Sequence, residues 1–60
     1  MPTIILEGGK LSKEQKSKLV KDFTTTAAQV MNIPEQAFTV FIKENDKENV
    51  GVGGVLIADK

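Results

Sequence analysis

One long helical stretch dominates this chain and leaves room for little else. Ser12-Lys13-Glu14-Gln15 fits a capping box, with Ser12 at the N-cap and Gln15 at the third helical position. Behind it Leu19, Val20, Phe23, Ala27, Val30 and Met31 recur at helical spacing, while Lys13, Lys16, Lys18, Lys21 and Asp22 lie mostly on the other side. The spacing predicts a helix from about Lys13 to Met31 with one apolar stripe. Asn32 suits a left-handed cap, and Pro34 stops any continuation.

Short strands flank this helix. Thr3-Ile4-Ile5-Leu6 is β-branched and apolar and runs into the breaker Glu7-Gly8-Gly9. Ala37 to Glu44 reads as the second strand, with Phe38, Val40 and Ile42 on one face and Thr39, Phe41 and Lys43 on the other. Phe38 and Phe41 are expected to pack on opposite faces, and Lys43 and Glu44 to be edge or interface charges. Asn45 to Asn49 is a polar turn. Val50-Gly51-Val52-Gly53-Gly54 then leads into Val55-Leu56-Ile57, a terminal strand or hairpin arm. Strand, helix, strand is a βαβ unit, so its strands should be parallel and joined by a right-handed crossover. The expected fold class is α/β, with residues 1–60 as one domain.

A unit this small has a stability problem. A chain of this length buries only about 60% of its unfolded surface. There is no Cys for a disulfide and no His for a metal site or an ordinary general base. One helix also covers only one sheet face, and Phe41 stands on the other. A parallel sheet is rarely left bare on one side. A second copy of the chain is the expected cover and the expected staple.

Eight Lys balance eight acidic residues, and Arg, Tyr and Trp are absent. No basic stripe interleaved with aromatics marks a nucleic-acid partner. No apolar run nears the length of about 20 residues that spans a bilayer, and no signal peptide is evident. The default expectation is a cytoplasmic protein with neither nucleic-acid nor membrane partners. Gly51-Val52-Gly53-Gly54 lacks the spacing of a phosphate-binding G-x-G-x-x-G and reads as a glycine-rich hairpin at a subunit contact.

Without His, Cys, Tyr or Arg, any base must be unusual. Ser12 and Ser17 both fit helix roles, and the carboxylates form no recognisable pair. Pro2 is the exception. Initiator methionine is normally trimmed before a small residue, and trimming would expose a secondary amine. An α-amino group has a pKa near 8, and an apolar setting lowers it further by disfavouring the charged form. A neutral secondary amine near pH 7 is a good general base. Val50 and Phe41, from one subunit or another, are candidates for that apolar setting. The bland alternative is that Pro2 merely begins a strand, where proline is tolerated.

Taken in order, Met1-Pro2 before an apolar strand, Leu6-Glu7-Gly8 at its end, Ser12-x-Glu14-Gln15-Lys16 opening the helix, a second strand ending at Glu44 and Val50-Gly51-Val52-Gly53-Gly54 span nearly the whole chain. This pattern resembles the 4-oxalocrotonate tautomerase family, small proteins with a catalytic amino-terminal proline. The resemblance implies a β-α-β chain with a C-terminal hairpin, two chains pairing into a four-stranded sheet with helices on one face, and assembly to a homodimer or homohexamer. It implies a cofactor-independent, metal-free isomerase that moves a proton on an unsaturated 2-oxo acid, with Pro2 as catalytic base. Best-known members hold substrate carboxylates with an arginine in the loop after the Glu-Gly pair and another near the start of the second strand. The corresponding candidates here are Lys10 and Thr39, and Val50 stands where an aromatic residue often precedes G-x-G-G. Two other readings stay open at this point. One is hydratase or dehalogenase chemistry at the same proline. The other is a non-catalytic oligomeric binding protein that has lost the clamp.

Overall fold

The computed structural model describes residues 1–60. Strand β1 (Thr3–Gly8) leads into helix α1 (Lys13–Met31), and a 3-10 turn at Glu35–Ala37 leads into strand β2 (Thr39–Glu44). A second 3-10 turn, Lys47–Asn49, precedes the short strands β3 (Gly51–Val52) and β4 (Val55–Leu56), and a third, Ile57–Asp59, ends the chain. The helix begins where its cap chemistry dictates. Ser12 Oγ accepts from the Gln15 backbone N–H at 3.1 Å, and Gln15 Oε1 accepts from the Ser12 N–H at 2.9 Å. Such a cap is worth about 1 kcal/mol. At the other end Asn32 adopts φ 57°, ψ 47°, and Ile33 N–H donates back to the Ala28 carbonyl at 3.1 Å. This six-to-one bond satisfies a carbonyl that the helix would otherwise leave open.

β1 and β2 pair in parallel, with Thr3 opposite Thr39 and Gly8 opposite Glu44. The ladder opens with Thr39 N–H donating to the Pro2 carbonyl at 3.1 Å and closes with Asn45 N–H donating to Gly8 at 2.7 Å. Ile4, Leu6, Val40 and Ile42 are half-buried, whereas Ile5, Phe41, Glu7 and Lys43 are exposed, which is the alternation of a sheet covered on one face. β2 starts at Thr39 rather than at Ala37. The N–H groups of Ala37 and Phe38 donate to the carbonyls of Pro34 and Glu35 (3.0 and 3.1 Å), so they cannot join the ladder. Pro2, with no N–H, offers no way to extend it on the other strand. β1 conversely runs on to Gly8, past the expected break.

The C-terminal arm is an antiparallel hairpin with Gly51 opposite Leu56 and Val52 opposite Val55. Its two turn residues, Gly53 (φ 64°) and Gly54 (φ 84°), both occupy the left-handed region, where a side chain is strained. Two positive φ values in a two-residue loop match the twist of paired strands.

Glu44, expected as an edge or interface charge, is exposed at the end of β2 and also makes long-range contacts within the chain. One carboxylate oxygen accepts from the Leu11 N–H at 2.8 Å, and the other meets Lys16 Nζ at 3.0 Å. The side chain thus ties the end of β2 to the β1–α1 loop and to the start of the helix. The Leu11 hydrogen bond first, and then Lys16, hold its carboxyl below the ordinary value of 4.5.

Little of this chain is buried. Ala28, at 9% exposure, is its one buried residue, and Ile5 (55%) and Phe41 (51%) lie open opposite each other on the bare sheet face. The accessible surface is 4878 Å², whereas a compact protein of this mass exposes about 3,800 Å². The radius of gyration is 14.7 Å, against about 10 Å for a compact chain of this length. The excess surface, about 1,000 Å², is of the size one partner contributes to a stable interface.

Two outcomes are expected. Phe41→Glu places a charge at the centre of the bare face and should shift the assembled protein toward a 6.5 kDa species in sedimentation, while Lys21→Glu, at an exposed helix position without an ion pair, should leave assembly intact. A wild-type chain that sediments as a folded monomer would remove the basis for both. The second concerns Glu44. Its folded-state pKa is depressed, so the stability it contributes is present above its ordinary value of 4.5 and is lost as the pH falls below it. The gap in Tm between wild type and Glu44→Gln should therefore narrow below that pH and hold steady above it.

Candidate functional site

At the start of β1, Pro2 is half-buried and its carbonyl is held by Thr39 N–H. Met1 is 97% exposed and makes no hydrogen bond. With Met1 attached, the Pro2 nitrogen is an amide without basicity; without it, the same nitrogen is an amine on a strand already fixed by the ladder. Thr39, half-buried at the head of β2, is the register partner of Thr3 and so sits beside Pro2.

Lys10 and Val50 lie at the other end of the sheet. Lys10 is exposed in the β1–α1 loop and has no carboxylate within 4.0 Å of its amine. It lines a cavity of about 330 Å³ with the neighbouring Gly8, Gly9 and Leu11, floored by Leu6, Ile42, Leu19 and Phe23. Val50 lines an adjacent hollow of about 320 Å³ with Glu7, Asn45, Lys47, Ile57 and the same two glycines. Its carbonyl accepts from Ile57 N–H at 2.9 Å, which anchors the base of the hairpin. A Cβ added at Gly8 or Gly9 would meet nothing within 4 Å, so the loop is open on that side.

The structure therefore sorts the four candidates into two pairs. Pro2 and Thr39 share one end, and Lys10 and Val50 gather about Gly8–Gly9 at the other. Six residues of extended strand separate Pro2 from Gly8, a distance of about 20 Å. No small substrate bridges that span within one chain. Nor does Val50 supply an apolar neighbour to Pro2 of its own chain, while Phe41, two residues beyond Thr39 on β2, lies nearer.

Glu44, read from the sequence as an edge or interface charge, has partners in Leu11 and Lys16 that this reading did not supply. Its signal was topological. In a βαβ unit both strands end beside the start of the crossover helix, so an acid closing the second strand meets the loop and the helix's first turn. No group of three or more acidic, His or Cys side chains is placed to hold a metal ion. No helix is long and apolar enough to cross a membrane.

Comparison with known proteins agrees with this architecture. A family profile described as tautomerase enzyme matches residues 3–60. A probable tautomerase of Bacillus cereus is 36% identical over 56 residues, which cover 93% of this chain and 88% of that protein. The crystal structure of DmpI from Archaeoglobus fulgidus is similar with a TM-score of 0.87 at 43% identity, covering 97% of this chain and all of that one. A heterohexameric 4-oxalocrotonate tautomerase from Chloroflexus aurantiacus is similar with a TM-score of 0.84 at 27% identity, covering 98% of this chain and 97% of that one. With the sequence match running nearly end to end and the fold superposing on both solved structures, the chain belongs to the tautomerase family of isomerase-type enzymes.

Proposed function

We propose that this chain, once Met1 is removed, is a tautomerase that shifts a proton on an unsaturated 2-oxo acid, with the Pro2 amine as general base. The observation that carries the reading is the placement of Pro2. It is the first residue held by the sheet, its backbone is fixed through Thr39 N–H, and the adjoining Met1 is exposed. The chain offers no His, Cys, Tyr or Arg to compete for the role. In ketonisation of an enol, the amine takes the hydroxyl proton. The O–H electrons close the carbonyl, and the C=C pair takes a proton back from the prolinium at carbon. The atoms balance without any further reactant.

A complete site needs more than one copy of the chain. Lys10 and Val50 stand about 20 Å from their own Pro2, so the cation and the apolar wall for a given Pro2 come from another copy. The uncovered Ile5–Phe41 face and the excess surface support such pairing, and a similar tautomerase assembles as a heterohexamer. Burying the site between copies also lowers the amine's pKa by desolvating its charged form. Thr39, beside Pro2, is left to position a substrate oxygen by hydrogen bonding.

Retention of Met1 is the sharpest test, because it turns the amine into an amide and leaves the strand unchanged. Trimmed protein should accelerate ketonisation of phenylenolpyruvate over buffer, and Met1-retained protein should lose most of that rate, on the order of the 10²–10⁴-fold a positioned base supplies. Equal rates from the two forms, with intact mass confirming each, would refute the proline mechanism and leave a binding role.

A further inference from the structure

The loop that carries Lys10 is held at both ends by Glu44, the last residue of β2, and by Asn45, which follows it. Asn45 N–H donates to the Gly8 carbonyl at 2.7 Å, and the Glu44 carboxylate accepts from the Leu11 N–H at 2.8 Å. Beyond Leu11 the Ser12 N–H is taken by Gln15 in the capping box. Gly9 and Lys10 are thus the only residues of the turn without an anchor, and a Cβ added at either glycine before Lys10 would meet nothing within 4 Å. Glu44 is the long-range tie, 33 residues from Leu11 along the chain. Its second oxygen is occupied by Lys16, which offsets its charge and leaves Lys10 without an ion-pair partner.

We propose that Glu44 is a positioning residue for anion binding: by clasping Leu11 it fixes the two-residue span that presents Lys10 to a substrate carboxylate. The inference rests on the tautomerase reading above and names how its carboxylate subsite is built. Lysine is a flexible point charge that orients poorly by itself. A fixed backbone at its root confines the volume its amine searches and lowers the entropy lost on capturing an anion. Glu44 does this through reach rather than charge. By charge alone, a carboxylate near Lys10 opposes an incoming anion, so removing it would tighten binding.

The two mechanisms therefore predict opposite signs. The test uses trimmed full-length protein and its variants, each checked for wild-type assembly. It measures Kd for cinnamate, an unreactive unsaturated carboxylate, and kcat and KM for phenylenolpyruvate. Glu44→Ala and Glu44→Asp, which loses reach but keeps charge, should each weaken cinnamate and raise KM by about tenfold with kcat changed far less, the scale of one charged hydrogen bond. Glu44→Gln keeps the reach and should bind within a few-fold of wild type. Lys10→Ala should weaken binding similarly, and Lys10→Ala with Glu44→Asp should be no weaker than Lys10→Ala alone, since the two act as one unit. Glu44→Asp supplies the answer where Glu44→Ala does not assemble. Unchanged or tighter binding in Glu44→Asp, additive losses in the double variant, or no cinnamate binding by wild type would each overturn the proposal. Wild type that binds cinnamate with this pattern but does not speed ketonisation would count against the proline mechanism while leaving the clasp standing.

Discussion

Parallel pairing of β1 with β2 is the constraint from which the rest of this structure follows. Two parallel strands cannot be joined by a tight turn, so the chain must cross over, and α1 is that crossover. The helix covers one face and there is no second helix for the other. The pairing therefore sets both the small core around Ala28 and the open face around Ile5 and Phe41. It also places the ends of both strands next to the first turn of the helix, where Glu44 meets Leu11 and Lys16. A chain with this topology leaves one face of its sheet uncovered by construction.

What could be read from the sequence was what local chemistry decides. The Ser12–Gln15 box and left-handed Asn32 act within a few residues, so they placed both helix ends where the structure has them. The alternation through Val40, Phe41 and Ile42 similarly announced which side faces the helix. The start of β2 was misplaced because Ala37 and Phe38 satisfy their N–H groups in a 3-10 turn, a choice set by Pro34 rather than by β-propensity. Glu44 escaped because its partners lie far along the chain and meet it only once the register is fixed. The separation of Pro2 from Lys10, by contrast, was legible, because the strand predicted over Thr3–Leu6 lies between them and β1 runs on to Gly8.

Family membership and site geometry bear on different questions. The match over residues 3–60 and the likeness to solved tautomerases fix the fold and the broad class of enzyme. They leave the substrate to the side chains, and those differ in kind from a rigid arginine clamp. In the site proposed above, assembled between copies, a lysine on a glycine-rich loop, a threonine beside the proline and a valine would give a softer and less bidentate surface. Such a surface would suit a single carboxylate better than two held in fixed geometry.

The bond from Thr39 to the Pro2 carbonyl bears on the order of events that the proposed mechanism requires. It lies on the chain-internal side of Pro2, whereas Met1 is exposed and makes no hydrogen bond. On the proposed reading, removing Met1 would leave the ladder intact and turn the planar amide nitrogen of Pro2 into a basic amine. Folding and the gain of basicity would then be separate events, in whichever order peptidase and folding act.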